Sequence, residues 1–200
     1  MSLLQLIGKA AYKCILSSNK KSDFQELKNL FSRVQKSDLN FTACSDYDLD
    51  KYRQIFLQIF EDTKIMAFIV ILAENARIPL HDHHQMNGFV KIIEGCAKVE
   101  TFTPVKEGRS PSEIICRREL EGEITSETKS CLTLSPNFGN IHQLSAINGP
   151  CAFFDILFPP YESDCLADIW KDIRERIKYR GKIFWGKANI GNFGFEWIDG

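Results

Sequence analysis

Between residues 55 and 158 the chain consists of short apolar runs rich in Ile, Val, Phe and Thr, separated by clusters of Gly, Pro, Asn and Ser. Such runs are typical of strands joined by turns. No stretch with a helical period lies between them, so a parallel α/β sheet is excluded. The pattern predicts a mainly β sandwich or barrel. The predicted strands cover residues 55–60, 65–73, 88–94, 97–103, 113–120, 130–134, 141–147 and 151–158.

Helical periods appear at the two ends of the chain. Apolar residues at positions 3, 7, 10, 11 and 14 predict one helix, and a second is expected from Ser22 to about Asp38. After Pro159-Pro160 the period becomes helical again, and Arg174–Gly181 suits a helix end. At 200 residues the chain has the size of one domain. We expect N-terminal helices over 1–50, a β-barrel over 55–160 and a short, partly helical C-terminal extension over 161–200.

Composition excludes several classes of protein. A formal charge of −1 gives no sign of nucleic-acid binding, and the longest apolar run, 65–73, is far shorter than the roughly 20 residues of a membrane-spanning helix. Seven cysteines without a C-x-x-C pair argue against a fully paired disulfide scaffold and a structural zinc site. We expect a cytoplasmic protein, with a nuclear location also compatible. The lysines before Asp23 leave a mitochondrial transit peptide as the weaker alternative.

Three of the four histidines lie within His81-Asp82-His83-His84, and the fourth is His142. Residues i and i+2 of a strand point to the same side, so His81 and His83 should project together while Asp82 points away. A third imidazole from a distant strand would complete half of an octahedral metal site. His84 is expected outside that site. The alternative is that these are ordinary core or surface histidines.

The surroundings of the histidines resemble the two motifs of cupins, H-x-H followed by Gly, and P-x-x-G-x-x-H at residues 136–142. Cupins usually place a Glu ligand where this chain has Asn87-Gly88, so the resemblance implies three histidine ligands without a carboxylate. Within cupins, I-P-L-H-D-H at 78–83 and D-I-L-F-P-P-Y at 155–161 are similar to the family of 2-aminoethanethiol dioxygenases and plant cysteine oxidases.

This resemblance implies a cupin-type β-barrel (a double-stranded β-helix) that binds Fe(II) at His81, His83 and His142. The implied reaction oxidises a thiol next to a free amine to a sulfinic acid with both atoms of O2. Its substrates would be cysteamine, which gives hypotaurine, or the N-terminal cysteine of proteins, which would make the enzyme an oxygen sensor in an N-degron pathway. A flavin, NAD or 2-oxoglutarate is not required. We expect a monomer without a nucleic-acid or membrane partner.

Asp155 and Tyr161 are the other candidate site residues. Asp155 interrupts the apolar run 152–158, where a carboxylate is costly unless it is paired. It could bind an imidazole N–H or the ammonium group of a substrate, or it could be a structural acid bonded to backbone amides. Tyr161 could donate a hydrogen bond at the metal, or its ring could simply pack after the two prolines.

Two alternative functions remain open from the sequence. A free-cysteine dioxygenase would need a cation for the substrate carboxylate, and Arg77 is the nearest Arg to either metal motif. A non-catalytic cupin that binds a metal and acts as a ligand-binding or interaction protein is the other. The chain also departs from the family: His84-Gln85 stands where animal members have Pro-Gly, and Leu166-Ala167 follows Asp164-Cys165, so a Cys–Tyr crosslink is not expected.

Overall fold

The computed structural model describes residues 2–16, 20–83, 85–107, 114–160, 182–188 and 195–197. Two helices precede a mainly β domain, which confirms the predicted fold class. The helices are α1 (Leu3–Leu16) and α2 (Lys20–Phe31), followed by 3-10 turns at Lys36–Leu39 and Cys44–Asp46. The strands are β1 (Tyr52–Glu61), β2 (Met66–Leu72), β3 (Arg77–His81), β4 (Asn87–Glu107), β5 (Ile114–Thr125), β6 (Leu132–Leu134), β7 (Ile141–Phe158), β8 (Lys182–Ala188) and β9 (Phe195–Trp197).

The nine strands form one hydrogen-bonded sheet in the order β5-β4-β7-β2-β1-β8-β9, with β3 paired to β7 and β6 paired to β4. Every pairing is antiparallel except that of β1 with β8. Across the described strands, the pairing does not return from β9 to β5. The longest pairing in the sheet is that of β4 with β7, which extends from Asn87 opposite Phe158 to Phe102 opposite Ile141.

Each of the two longest strands joins two segments that the sequence predicts as separate strands. Between the segments lie Gly95 in β4 and Gly149 in β7, both with positive φ (78° and 120°). A Cβ at Gly95 would lie 2.3 Å from the carbonyl oxygen of Pro150, so a side chain is sterically excluded there. The ladder between β4 and β7 is irregular at this point. The glycines therefore let both strands bend together without breaking the sheet.

Alternation along the second half of β7 separates two cores. Phe154 and Ile156 pack with the N-terminal helices on what we call the outer face. Phe153 and Leu157 belong to the other cluster, on the inner face. In the first half of β7, Leu144 also belongs to the inner cluster.

Besides the two joined strands, the structure differs from the sequence predictions in three further places. A short strand, β3, was not predicted and ends at His81, whereas α2 ends at Phe31 instead of continuing toward Asp38. In the C-terminal extension, β8 and β9 appear where no strand was predicted. The helix predicted after residue 163 lies outside the described residues. Within the described residues, no helix is both long and apolar enough to span a bilayer.

Candidate metal centre

The structure brings His81, His83 and His142 together. One ligand nitrogen from each lies within 4.8 Å of the others, and Nε2 of His81 is 3.0 Å from Nε2 of His83. Two nitrogens bound at right angles to one ion, each about 2.1 Å away, would be about 3.0 Å apart. The spacing therefore fits two neighbouring ligands of a single metal ion.

Different structural elements place the three rings. His81 is the last residue of β3 and pairs with His142 near the start of β7. Leu144 follows His142 by two residues and belongs to the inner cluster, so alternation puts His142 on the inner face. His83 lies beyond the end of β3 and is almost completely buried. The sequence prediction placed His83 beside His81 by alternation along one strand. That reason is wrong, because His83 lies outside the strand.

Asn140 holds His83 instead. The backbone N–H of His83 donates to Oδ1 of Asn140 (2.9 Å), and Nδ2 of Asn140 donates to the carbonyl oxygen of His83 (2.8 Å). Nδ2 also donates to the carbonyl of Ser135 (3.2 Å). Sequence reasoning missed this buried amide. The available signal was its position two residues before His142, inside the P-x-x-G-x-x-H motif.

Hydrogen bonds and burial favour neutral imidazoles. Nδ1 of His81 donates to the carbonyl oxygen of Pro79 (2.7 Å), which leaves the Nε2 lone pair free as a ligand. The ring of His142 bonds to the backbone of Gly139. Burial lowers the pKa of His81, and it lowers the pKa of His83 and His142 strongly, with the neighbouring imidazoles adding to the effect. A neutral three-nitrogen donor set fits a divalent transition metal.

Asp155 lies on the inner face, directly opposite Phe68 of β2 and Val90 of β4. Both of these neighbours belong to the inner apolar cluster. Asp155 bonds to the backbone of Ile156, yet its buried Oδ1 has no hydrogen-bond partner among the described residues. Burial raises the pKa of Asp155 to about 7. A structural role, in which Asp155 is bonded to the backbone, therefore accounts for only one of its carboxylate oxygens. Oδ1 is left for another partner.

Tyr161 and His84 lie outside the described residues, so their predicted roles stay predictions. Arg77, the Arg nearest to either metal motif in the sequence, is exposed.

Comparison with known proteins identifies a family. The PCO_ADO family matches residues 22–170. The 2-aminoethanethiol dioxygenase of Mus musculus is 28% identical over 161 residues, which cover 69% of this chain and 62% of that protein. The Homo sapiens protein of the same name is 25% identical over 71% of this chain and 62% of its own length. Plant cysteine oxidase 2 of Arabidopsis thaliana is 25% identical over 53% of this chain and 39% of its own. The chain thus spans less than two thirds of these relatives.

Among solved structures, the chain matches a cupin superfamily protein from Desulfitobacterium hafniense at a TM-score of 0.42 and 10% identity, covering 57% of this chain and 85% of that one. A protein from Bacillus halodurans matches at the same TM-score with 15% identity, covering 61% of this chain and 83% of that one.

Proposed function

Because the chain belongs to the PCO_ADO family and folds as a mainly β domain preceded by two helices, we propose that it is an Fe(II)-dependent thiol dioxygenase. Its substrate is a thiol next to a free amine, and its product is the sulfinic acid. The observation that carries the proposal is the cluster of three neutral imidazoles, with ligand nitrogens within 4.8 Å of one another. We place the ion at His81, His83 and His142.

The reaction is balanced without a second reductant. R–SH and O2 give R–SO2H, and the sulfur loses the four electrons that O2 gains. Bound Fe(II) would supply the site at which the thiolate and O2 meet and exchange electrons. Because the imidazoles are neutral, they leave the ion its full positive charge, which favours a thiolate over a thiol. Ile78 and Leu144 of the apolar inner cluster lie close in the sequence to the histidines and would limit the access of water to the reacting groups.

Asp155 is proposed to bind the substrate's ammonium group. Its Oδ1 is buried without a partner among the described residues, and an amine brought into this apolar surrounding needs an acceptor. A charge-assisted hydrogen bond of this kind contributes about 1.5–3 kcal/mol. The bond would also explain why a carboxylate occupies a position between the apolar side chains of Phe68 and Val90. Tyr161 stays a proposed hydrogen-bond donor at the site.

We favour the N-terminal cysteine of polypeptides over free cysteine as the substrate. The exposed Arg77 does not supply a buried cation for a free-cysteine carboxylate. Leu80, next to His81, and Phe138, next to Gly139, are both large apolar side chains about half exposed (54% and 48%). We propose that these two side chains form an apolar rim at the site, which would suit the residues that follow an N-terminal cysteine. Oxygen sensing by a monomeric, cytoplasmic enzyme is part of this proposal.

The deciding experiment loads the full chain with Fe(II) without oxygen and then supplies 18O2. Mass spectrometry follows cysteamine, a Cys-initiated peptide and the same peptide with an acetylated N-terminus. We expect two labelled oxygen atoms in the free-amine substrates and no reaction of the acetylated peptide. Metal binding without any oxygen uptake would favour the non-catalytic cupin. Equal rates for the free and acetylated peptides would contradict amine recognition.

The rim is tested with Phe138→Ser and a matched control, Phe60→Ser, whose side chain on β1 is exposed to a similar extent (45%). Phe138→Ser should raise KM for a Cys-initiated peptide by about three- to tenfold, because apolar contact area is lost, and leave cysteamine turnover unchanged. Phe60→Ser should change neither. An equal effect of Phe138→Ser on both substrates would show that the rim does not recognise a polypeptide.

A further inference from the structure

A chain of hydrogen bonds runs from the surface of the β4–β5 hairpin to the loop before His142. Thr103 of β4 is buried, and its Oγ1 accepts a hydrogen bond from the backbone N–H of Gly139 (3.0 Å). The same hydroxyl donates to the carboxylate of Glu119 on β5. Since a hydroxyl can donate and accept at once, Thr103 connects the two groups directly.

Glu119 occupies an irregular position that directs it toward Thr103. Thr101 pairs with Leu120 and Phe102 pairs with Arg118, so Glu119 is the additional residue of a β-bulge. Bulges change the direction of a side chain, and they occur frequently beside active sites. Arg117 binds the same carboxylate through two nitrogens, at 2.7 and 3.0 Å. The Thr103 hydroxyl and Arg117 both lower the pKa of Glu119, so the acceptor is ionised.

The other end of this series of hydrogen bonds reaches two of the three histidines. The carbonyl group of Gly139 accepts the hydrogen bond from the ring of His142, which leaves the other ring nitrogen available as a ligand. The next residue, Asn140, holds the backbone of His83 through two hydrogen bonds. Gly139 itself has a positive φ of 61°, and a Cβ there would be 3.1 Å from the carbonyl of Thr133. A shift of this loop would therefore displace both rings.

We propose that Thr103 and Glu119 are positioning residues of the metal centre: they fix Gly139, and through it the ring of His142 and the Asn140–His83 contact. The inference rests on the proposed function, since it requires a metal at the three histidines. Groups that orient a metal-ligating histidine typically change metal affinity or activity by about 10- to 100-fold when they are removed. A purely structural role would change stability instead, with metal affinity preserved in the folded protein.

The experiment titrates Co2+ into the metal-free full chain and records the visible spectrum, which reports ligand geometry, together with the melting temperature. Thr103→Val keeps the shape of the side chain and removes its hydroxyl, whereas Thr103→Ser restores the hydroxyl. Thr133→Val is the matched control, because the buried Thr133 hydroxyl has no hydrogen-bond partner within the part of the chain that is described. If Thr103→Val does not fold, Glu119→Leu tests the same series of hydrogen bonds from the surface of the hairpin. Glu119→Gln is its control, because it keeps a carbonyl acceptor for Thr103.

We expect Thr103→Val and Glu119→Leu to raise the Kd for Co2+ by about 10- to 100-fold and to change the spectrum. Thr103→Ser, Glu119→Gln and Thr133→Val should stay within about threefold of the unsubstituted protein. Unchanged affinity and spectrum in folded Thr103→Val, or an equal loss in Thr133→Val, would overturn the positioning role while the proposed function stands. If the unsubstituted chain itself binds no Co2+, the proposed metal centre and this inference both fail.

Discussion

The two faces of one strand, β7, differ in what they contain. Phe154 on the outer face stacks on Phe31 of α2, with ring centroids 5.0 Å apart and planes within 13°. On the inner face the next residue is Asp155, a carboxylate with a buried oxygen that has no partner among the described residues. His142 lies on the same inner face as Asp155, near the start of the strand.

The outer face of β7 thus contributes mainly to stability, whereas its inner face carries the polar side chains of the candidate site. The outer face packs against α1 and α2 mainly through apolar side chains. Polar groups on the inner face cost free energy, and such groups are typical of functional sites. Adjacent residues of β7 should therefore respond to substitution in opposite ways, in stability for one face and in turnover for the other.

Removal of a histidine should have the largest effect. His81→Ala, His83→Ala and His142→Ala should each reduce turnover by at least about 100-fold and remove bound iron, with a far-ultraviolet circular dichroism spectrum like that of the unsubstituted chain. Activity and iron content are measured on the same preparation. His84→Ala serves as the control and should keep most of its iron. Iron loss in His84→Ala but not in His83→Ala would show that the ligand assignment is displaced by one residue.

Phe154→Ala tests the outer face. Truncation of a fully buried aromatic side chain costs about 3–5 kcal/mol of the free energy of unfolding, because apolar contacts are lost and a cavity remains. We expect this loss in urea unfolding, with turnover per folded, iron-loaded molecule within about twofold of normal. A large change in that specific activity with little loss of stability would contradict the separation of the two faces.

Asp155→Asn makes the corresponding test on the inner face. The change keeps the size of the side chain and removes its charge, so kcat/KM for an amine-bearing thiol should fall by about 10- to 100-fold, at roughly 1.4 kcal/mol for each factor of ten. Iron content should be nearly unchanged. Normal specific activity together with a lower melting temperature would assign Asp155 a structural role only.

The smallest expected effect is in the pH dependence of stability. The pKa of Asp155 is raised to about 7 in the folded chain from an ordinary value of 3.8. The folded state therefore holds this proton more tightly, and the associated stability, complete below about pH 4, is lost as the pH rises through about 7. In the metal-free protein, Asp155→Asn should melt at a similar temperature at pH 4 and a few degrees higher than the unsubstituted chain at pH 8. A difference that does not change with pH would contradict the raised pKa. The histidines are common to both proteins, so their titration cancels in the comparison.

Local patterns in the sequence predicted much of this molecule. Alternating apolar runs predicted the mainly β class. The apolar residues at positions 3, 7, 10, 11 and 14 predicted the buried side of α1, and all of them except the half-buried Leu3 are buried there. These predictions succeeded because each depends on a period of two or 3.6 residues within one element. The histidine pattern H-x-H with His142, together with the family resemblance, indicated which side chains would meet.

The fold class, the family and the chemical type of the candidate site were thus predictable from the amino-acid sequence. The way in which the site is held was not, because it depends on contacts between distant parts of the chain. Asn140 reaches the backbone of His83 across 57 residues, and Glu119 reaches Thr103 through a bulge. The pairing of β8 with β1 joins residues still farther apart in the chain, with Tyr52 opposite Lys182. Contacts of this kind depend on the register between strands, and register is set by packing of the whole sheet, which no local period records.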